Sequence, residues 1–323
     1  MTTIVVTRTI PGALDIPGAQ IIVGPEEGLL NPAGLRDFVR KHAPIAGLVT
    51  MGHDRVDTAL LDEIGDSLKV VCNFAVGYDN IDLAACAARG VTVCNTPKAV
   101  TEGTADLAWA LMLAAARRVS QGDRFVRDGS YTNHGPMGMT EMLGVDFTGR
   151  TLLIVGAGRI GYAVALRSIG WGMRVLYVAR SRHYSFEFAP LGATRVELEE
   201  GLRQADFISV HTPLTADTKH LINADRLALV KPTAVLVNTA RGAVIDETAL
   251  IAALKEKRLF AAGLDVYENE PHVSAELRSF DNVVLTPHIG SGAQRYRAMM
   301  TEIVSQNVHA VLTGGVPMSV VRG

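Results

Sequence analysis

The sequence predicts an α/β protein built of two doubly wound, Rossmann-like parallel-sheet domains. Three observations lead there. Short, near-continuous apolar runs alternate with helix-like segments through most of the 323 residues, the pattern of a parallel sheet covered on both faces. The length exceeds one ordinary core, and the alternation pauses after about residue 120 and restarts at Thr151. The restart is an apolar run that ends in Gly156-Ala157-Gly158-Arg159-Ile160-Gly161 and passes straight into the helix-like stretch Tyr162 to Ile169.

In order, strands are expected at Thr3–Thr7, Gln20–Val23, Gly47–Thr50, Val70–Phe74 and Val91–Cys94, with helices near Pro32–His42, Val56–Ile64 and Leu83–Ala88. Thr104–Val119 is apolar on most sides and reads as a buried helix. The polar, Gly-rich stretch Gln121 to Gly149 reads as an excursion, either a surface loop or an arm that packs on a second subunit. Six further strands follow: Thr151–Val155, Arg174–Val178, Phe207–His211, Ala234–Asn238, Ala261–Val266 and Val283–Leu285. Helices are expected near Glu197–Gln204, Asn223–Leu229 and Glu247–Lys257. The amphipathic segment Arg295 to Leu312 has no strand left to serve, so it is expected to pack back on the first domain and make that domain discontinuous.

Each glycine of the loop has a physical task. Gly156 permits the tight turn, Gly158 lets the backbone approach a pyrophosphate, and Gly161 lets helix and strand pack closely. The helix that follows offers N–H groups and a positive dipole end to phosphates. Because a second strand follows the helix, the loop is read as a dinucleotide site.

Composition narrows the rest. Hydrophobic residues make up 48% and charged residues 20%, the balance of a soluble globular protein. A net charge of -2 argues against a large basic surface for nucleic acid. No apolar run reaches the roughly 20 residues of a spanning helix, so no membrane association is expected. The N-terminus reads as a strand, not a signal peptide. Cys72, Cys86 and Cys94 sit in apolar surroundings and read as small buried hydrophobes of a reducing, cytoplasmic compartment; no metal is expected.

Ligands of open α/β sheets bind beyond the carboxyl ends of the strands. The polar residues there are the glycine loop, Arg180-Ser181-Arg182, His211-Thr212-Pro213, Thr239-Ala240-Arg241, Asp265 with Glu268 and Glu270, and His288. An arginine, an acid and a histidine on one rim suit oxidation of a hydroxy acid or reduction of a keto acid. The arginine fork holds a carboxylate, and the histidine exchanges the hydroxyl proton while a neighbouring carboxylate stabilises its cation.

Several motifs in order carry a resemblance: Gly77-Tyr78-Asp79-Asn80-Ile81-Asp82, the glycine loop, His211-Thr212-Pro213-Leu214, Asn238-Thr239-Ala240-Arg241-Gly242, Gly263 to Pro271, and Thr286-Pro287-His288-Ile289-Gly290-Ser291. With these the sequence resembles the D-isomer-specific 2-hydroxyacid dehydrogenase family over essentially its whole length. The resemblance implies an active-site cleft between a discontinuous substrate-binding lid domain, residues 1–99 plus 288–323, and a dinucleotide-binding domain, residues 100–287. It also implies a homodimer, with an arm near residues 120–150. Arg241 is implied to bind the substrate carboxylate, with backbone N–H groups at Val76 and Gly77 assisting. His288 is implied as the acid/base and Glu270 as its partner; Glu268, two residues away, is read as solvated. Met51, Gly52, His53 and Tyr78 of the lid are expected to set substrate size. Arg295 and Arg297, just past the His288 loop, are expected either to contact a polar or charged substrate tail or to lie on a solvated helix face. Thr104, Arg159, Ile160, Thr212, Pro213, Thr239, Ala240, Asp265 and Gly290 complete the expected cofactor contacts, and His211 is expected as a wall of that site.

An enzyme using NAD places an acid at the end of the second strand, where this chain has Ala179. No acid repels a 2′-phosphate there, and Arg180, Ser181 and Arg182 supply donors for it. NADP(H) is therefore expected over NAD(H), in a reductase of small 2-keto acids similar to the glyoxylate/hydroxypyruvate reductases. Two alternatives stand beside it. One is an NAD-dependent relative acting on phosphoglycerate, lactate or formate; the other is a dinucleotide-sensing, corepressor-like binding protein.

Overall fold

The computed structural model describes residues 2–322 except 27 and 29, and two compact units emerge: Met1–Val100 with Ser291–Gly323, and Thr101–Gly290. Among the described residues the first holds a five-stranded sheet and the second a seven-stranded one, with every strand pairing parallel.

Unit 1 alternates β1 (Thr2–Val6), β2 (Ala19–Val23), α1 (Pro32–His42), β3 (Gly47–Thr50), α2 (Thr58–Ile64), β4 (Val70–Asn73), α3 (Leu83–Ala88) and β5 (Thr92–Cys94). The helices start where the sequence provides caps: Asn31, Asp57 and Asp82 each accept a backbone N–H of the first turn. The sheet order is β2-β1-β3-β4-β5, and β3 and β4 are buried along their whole length. All three cysteines are buried and free, and burial pushes the thiols up, to about 11 for Cys86 and Cys94.

Unit 2 opens with α4 (Thr101–Ala116), α5 (Val119–Arg127) and α6 (Ser130–His134). The stretch expected as an excursion from Gln121 thus begins as two helices, with only its latter part irregular. There follow β6 (Thr151–Val155), α7 (Arg159–Arg167), β7 (Arg174–Val178), α8 (Tyr184–Glu187), β8 (Thr194–Arg195), α9 (Leu198–Gln204) and β9 (Phe207–Val210). The unit continues through α10 (Ala224–Leu227), β10 (Val235–Asn238), α11 (Glu247–Lys255), β11 (Ala261–Leu264), α12 (Ala275–Ser279) and β12 (Val283–Leu285). The two-residue β8 is one strand more than the sequence predicts.

The order β12-β11-β10-β9-β6-β7-β8 reverses between β6 and β9. Helix α4 lies close on this sheet: a Cβ at Gly263 of β11 would come within 2.9 Å of the Leu111 Cβ. Trp109 of α4 donates its indole N–H to the Val164 carbonyl at 2.9 Å and stacks on Trp171, ring centroids 6.3 Å apart. The chain then returns to unit 1 as α13 (Gln294–Leu312), which buries Met300, Ile303, Val304 and Val308. Among the described residues no helix is long and apolar enough to cross a membrane.

Candidate active site

The reversal of strand order between β6 and β9 leaves a crevice at their carboxyl ends, the usual ligand position in such sheets. The glycine loop leaves β6 there. Gly156 has φ +105°, and a Cβ on it would lie 2.7 Å from the His211 carbonyl carbon and 2.8 Å from the Thr212 nitrogen. A Cβ on Gly161 would lie 2.3 Å from the Gly156 oxygen. Gly158 differs, because nothing stands within 4 Å of its Cβ position and no packing demands glycine. Arg159 and Ile160 open α7, whose N-terminus has no side-chain cap, whereas Asn223 and Asp246 cap α10 and α11. Its first N–H groups are thus left for an anion.

Two further observations fit a dinucleotide. Among the described residues the buried hydroxyls of Thr212 and Thr239, just past β9 and β10, have no hydrogen-bond partner. Such an orphaned group costs about 1–3 kcal/mol unless a ligand satisfies it. His211 places Nε2 2.8 Å from the Ser209 hydroxyl, and burial drives its imidazole well below the ordinary range. It is a neutral wall. Pro213 accepts the Thr218 hydroxyl on its carbonyl at 2.6 Å.

After β7, Arg180, Ser181 and Arg182 are exposed. The two arginines differ. Arg182 donates Nε to both Glu187 oxygens, at 3.1 and 3.0 Å, with a shorter contact from Nη2, and lies over the Tyr184 ring. Hydrogen bonds from Arg182 and the Tyr177 hydroxyl hold the Glu187 carboxyl below the usual range. Arg180 has no ion pair among the described residues. Arg195 of β8, not singled out in the sequence, donates to the Ala179 carbonyl at 3.0 Å and the Arg180 carbonyl at 3.4 Å, adding a third cation at this turn.

Buried Asn238 ends β10 and shapes the next loop, accepting the Ala240 N–H at 3.0 Å and donating to the Arg241 carbonyl at 2.9 Å. Arg241 donates Nη1 to the Ala240 carbonyl at 2.8 Å. Gly242 then lies flat on the next segment, where a Cβ would meet the Tyr267 carbonyl carbon at 1.9 Å and the Glu268 nitrogen at 2.4 Å. No larger residue fits.

His288 Nδ1 lies 2.8 Å from Glu270 Oε2, and Glu270 Oε1 accepts the Tyr267 N–H at 2.9 Å. Burial pushes the Glu270 carboxyl up, but the bond and charge of His288, the Tyr267 N–H and the charge of Arg241 together hold it below the ordinary value. His288 has φ +54°. The buried carboxylate of Asp265 sustains this turn by accepting the Thr286 hydroxyl at 2.6 Å and the Ile289 and Gly290 N–H groups at 2.8 Å each. Desolvation raises its pKa despite those donors. Asp265, expected among the cofactor contacts, is therefore also the bracket of the histidine loop. Gly290 fits between the Asp265 carboxylate and buried Thr104 of α4, each 3.3 Å from a Cβ position. Glu268 departs from the expectation of a solvated side chain: its Oε1 lies 2.7 Å from His220 Nε2.

In unit 1 the Val76–Gly77 loop and the neighbouring Met51 turn are pinned by asparagines to which the sequence reading gave no role. Asn73 donates to the Gly77 carbonyl at 2.8 Å, Asn95 to the Val76 carbonyl at 2.8 Å, and Asn80 to the Met51 carbonyl at 3.1 Å. Buried Asp54 accepts the Met51 N–H at 2.7 Å and the Thr7 hydroxyl. Met51 points into the core, only 9% exposed, while Gly52 is exposed. Arg297, half-buried in the first turns of α13, accepts the Thr301 hydroxyl on its carbonyl at 3.3 Å.

Residues 109–290 match the family model for the NAD binding domain of D-isomer specific 2-hydroxyacid dehydrogenases. A glyoxylate reductase of Thermococcus onnurineus is 48% identical over 286 residues, covering 88% of this chain and 85% of that protein. One from Korarchaeum cryptofilum is 47% identical over 293 residues, covering 90% and 87%. Among crystal structures, a Thermus thermophilus protein superposes with a TM-score of 0.90 at 42% identity, covering 99% of this chain and 100% of that one. An NADPH-dependent glyoxylate/hydroxypyruvate reductase of Sinorhizobium meliloti, in complex with NADP and malonate, superposes with a TM-score of 0.81 at 33% identity, covering 99% and 96%.

Proposed function

The chain belongs to the D-isomer specific 2-hydroxyacid dehydrogenase family, and on that premise we propose that it reduces a small 2-keto acid, glyoxylate or hydroxypyruvate, to the 2-hydroxy acid, of D configuration where the product is chiral, with NADPH preferred over NADH. One observation carries the reading: His288 and Glu270 are paired at 2.8 Å, with the Arg241 charge near enough to act on the same carboxyl.

The nicotinamide, when bound, supplies the hydride. The glycine loop and the uncapped start of α7 hold the pyrophosphate, and the hydroxyls of Thr212 and Thr239 find their missing partners. Arg241 grips the substrate carboxylate with its planar fork. His288 gives its proton to the carbonyl oxygen as negative charge develops there. Glu270 holds the ring through Nδ1, which leaves Nε2 for the substrate. Val76 and Gly77 keep the role of carboxylate donors and Met51 and Gly52 that of size limits; the Met51 contribution falls to its backbone, since its side chain is in the core.

Cofactor preference rests on Ala179 and Arg180. With Arg182 held by Glu187, Arg180 and Ser181 are the available donors for a 2′-phosphate. The protein works as a cytoplasmic homodimer, joined through the arm of α5, α6 and the irregular stretch after them, where Val119, Val126, Tyr131, Met139 and Leu143 are exposed. A panel of 2-keto acids assayed with both cofactors tests the function. Turnover of glyoxylate or hydroxypyruvate with NADPH supports it. Binding of NADPH without turnover of any keto acid would point to a dinucleotide sensor instead.

A further inference from the structure

Unit 2 carries a second histidine–carboxylate pair, away from His288. We propose that His220 and Glu268 form a latch that registers the Arg241 loop against the segment bearing Glu270, which makes both of them positioning residues. The catalytic part of this inference rests on the function proposed above.

His220 Nε2 and Glu268 Oε1 are 2.7 Å apart, with side chains 36% and 24% exposed, so solvent only partly screens them. His220 has φ +51°, a conformation few non-glycine residues adopt, and its surroundings hold it there. Its own N–H donates to the Ala243 carbonyl at 2.8 Å. The Ile222 N–H donates to Val244 and the Asp246 N–H to Ile222, both at 3.0 Å. The segment 220–222 is thereby stitched to the chain that continues from Arg241.

Glu268 ties the other side. Its Oε2 accepts the Glu247 N–H at 3.3 Å, and its own N–H donates to Glu247 Oε2 at 3.2 Å. Gly242 lies between these segments, flat against the Tyr267–Glu268 peptide. Two residues beyond Glu268 stands Glu270, fixed by the Tyr267 N–H of the same turn. The His220–Glu268 bond therefore closes a ring through residues 220–222, 241–247 and 267–270, and that ring carries both Arg241 and Glu270. The bond acts beside the Gly242 contact, the longer Glu247–Glu268 bonds and the charge of Arg241 on the Glu270 carboxyl. A displacement of about 1 Å between catalytic groups lowers rates on the order of a hundredfold.

The test compares His220→Ala, Glu268→Ala and His220→Gln, whose amide nitrogen can replace Nε2 as the donor. Each is followed by backbone hydrogen exchange and by steady-state kinetics with glyoxylate and NADPH. In His220→Ala and Glu268→Ala, exchange at residues 239–247 and 266–270 should accelerate. Glyoxylate kcat/KM should fall roughly ten- to a hundredfold, NADPH affinity should hold, and His220→Gln should recover most of both. Unchanged exchange in the two alanine variants overturns the latch. So does a loss of NADPH affinity that matches the loss of glyoxylate efficiency, because the effect is then not confined to the Arg241–Glu270 register. If the parent protein reduces no keto acid, the proposed function fails while the exchange data still decide the latch.

Discussion

Gly161 faces the carbonyl oxygen of Gly156 so closely that a methyl group on it would stand 2.3 Å from that oxygen, while Gly158, three residues earlier, faces open space. Glycine thus serves two different ends within one loop. Gly161→Ala should destabilise the protein by about 1–3 kcal/mol through overpacking, read as a lower midpoint in urea. Gly158→Ala should leave that midpoint in place and weaken NADPH binding. Equal stability losses would show that Gly158 also serves packing.

The carboxylate anchor gives a second prediction. Arg241→Lys keeps a charge but loses the fork, so the keto-acid KM should rise steeply while NADPH binding barely changes. Gly242→Ala, whose Cβ has no room against Tyr267, should act in the same direction by displacing Arg241, with an added loss of stability seen in thermal melts. A collapse of cofactor affinity in Arg241→Lys would move that residue to the cofactor site.

Proton transfer gives a third. His288→Ala should lower the rate of reduction by more than roughly a hundredfold. Glu270→Gln, which keeps an acceptor for Nδ1 but loses the charge, should cost less of the maximal rate than His288→Ala. The Glu270 carboxyl is held below its ordinary value, so its native-state contribution is complete above about pH 4.3 and is lost as pH falls through the lower native value. The difference in melting temperature between the parent and Glu270→Gln should therefore shrink as pH falls below about pH 4.

Cofactor choice gives a fourth. Ala179→Asp combined with Arg180→Ile should turn NADPH preference into NADH preference, chiefly through KM. Arg182→Ala should have the smaller effect of the two arginines, because Glu187 already holds Arg182. Equal efficiency of the parent with both cofactors would sink the preference itself.

The parallel sheets and the glycine loop were legible because apolar strand periodicity and glycine sterics are local. The pairing of His288 with Glu270 was legible only through motif resemblance: Glu268 and Glu270 are two residues apart and chemically alike, and only the folded turn sends one to His288 and the other to His220. β8 escaped because two residues carry no periodicity. α5 and α6 escaped because Gly129 and polar side chains mask two short helices. The Arg182–Glu187 ion pair spans a turn and a short helix, where spacing alone does not announce a contact. The asparagines that pin the Val76–Gly77 loop lie at strand ends and in turns, positions where Asn is common for reasons unrelated to function.

The stacked indoles of Trp109 and Trp171 are the two tryptophans of the chain, and both lie in unit 2. Intrinsic fluorescence excited at the red edge of absorption is consequently an optical channel for one half of the molecule, with the other half dark to it. Melting followed by that emission, set beside far-ultraviolet circular dichroism of the whole chain, separates the two halves without any label. A fluorophore attached to unit 1 would add energy transfer from a donor already built in.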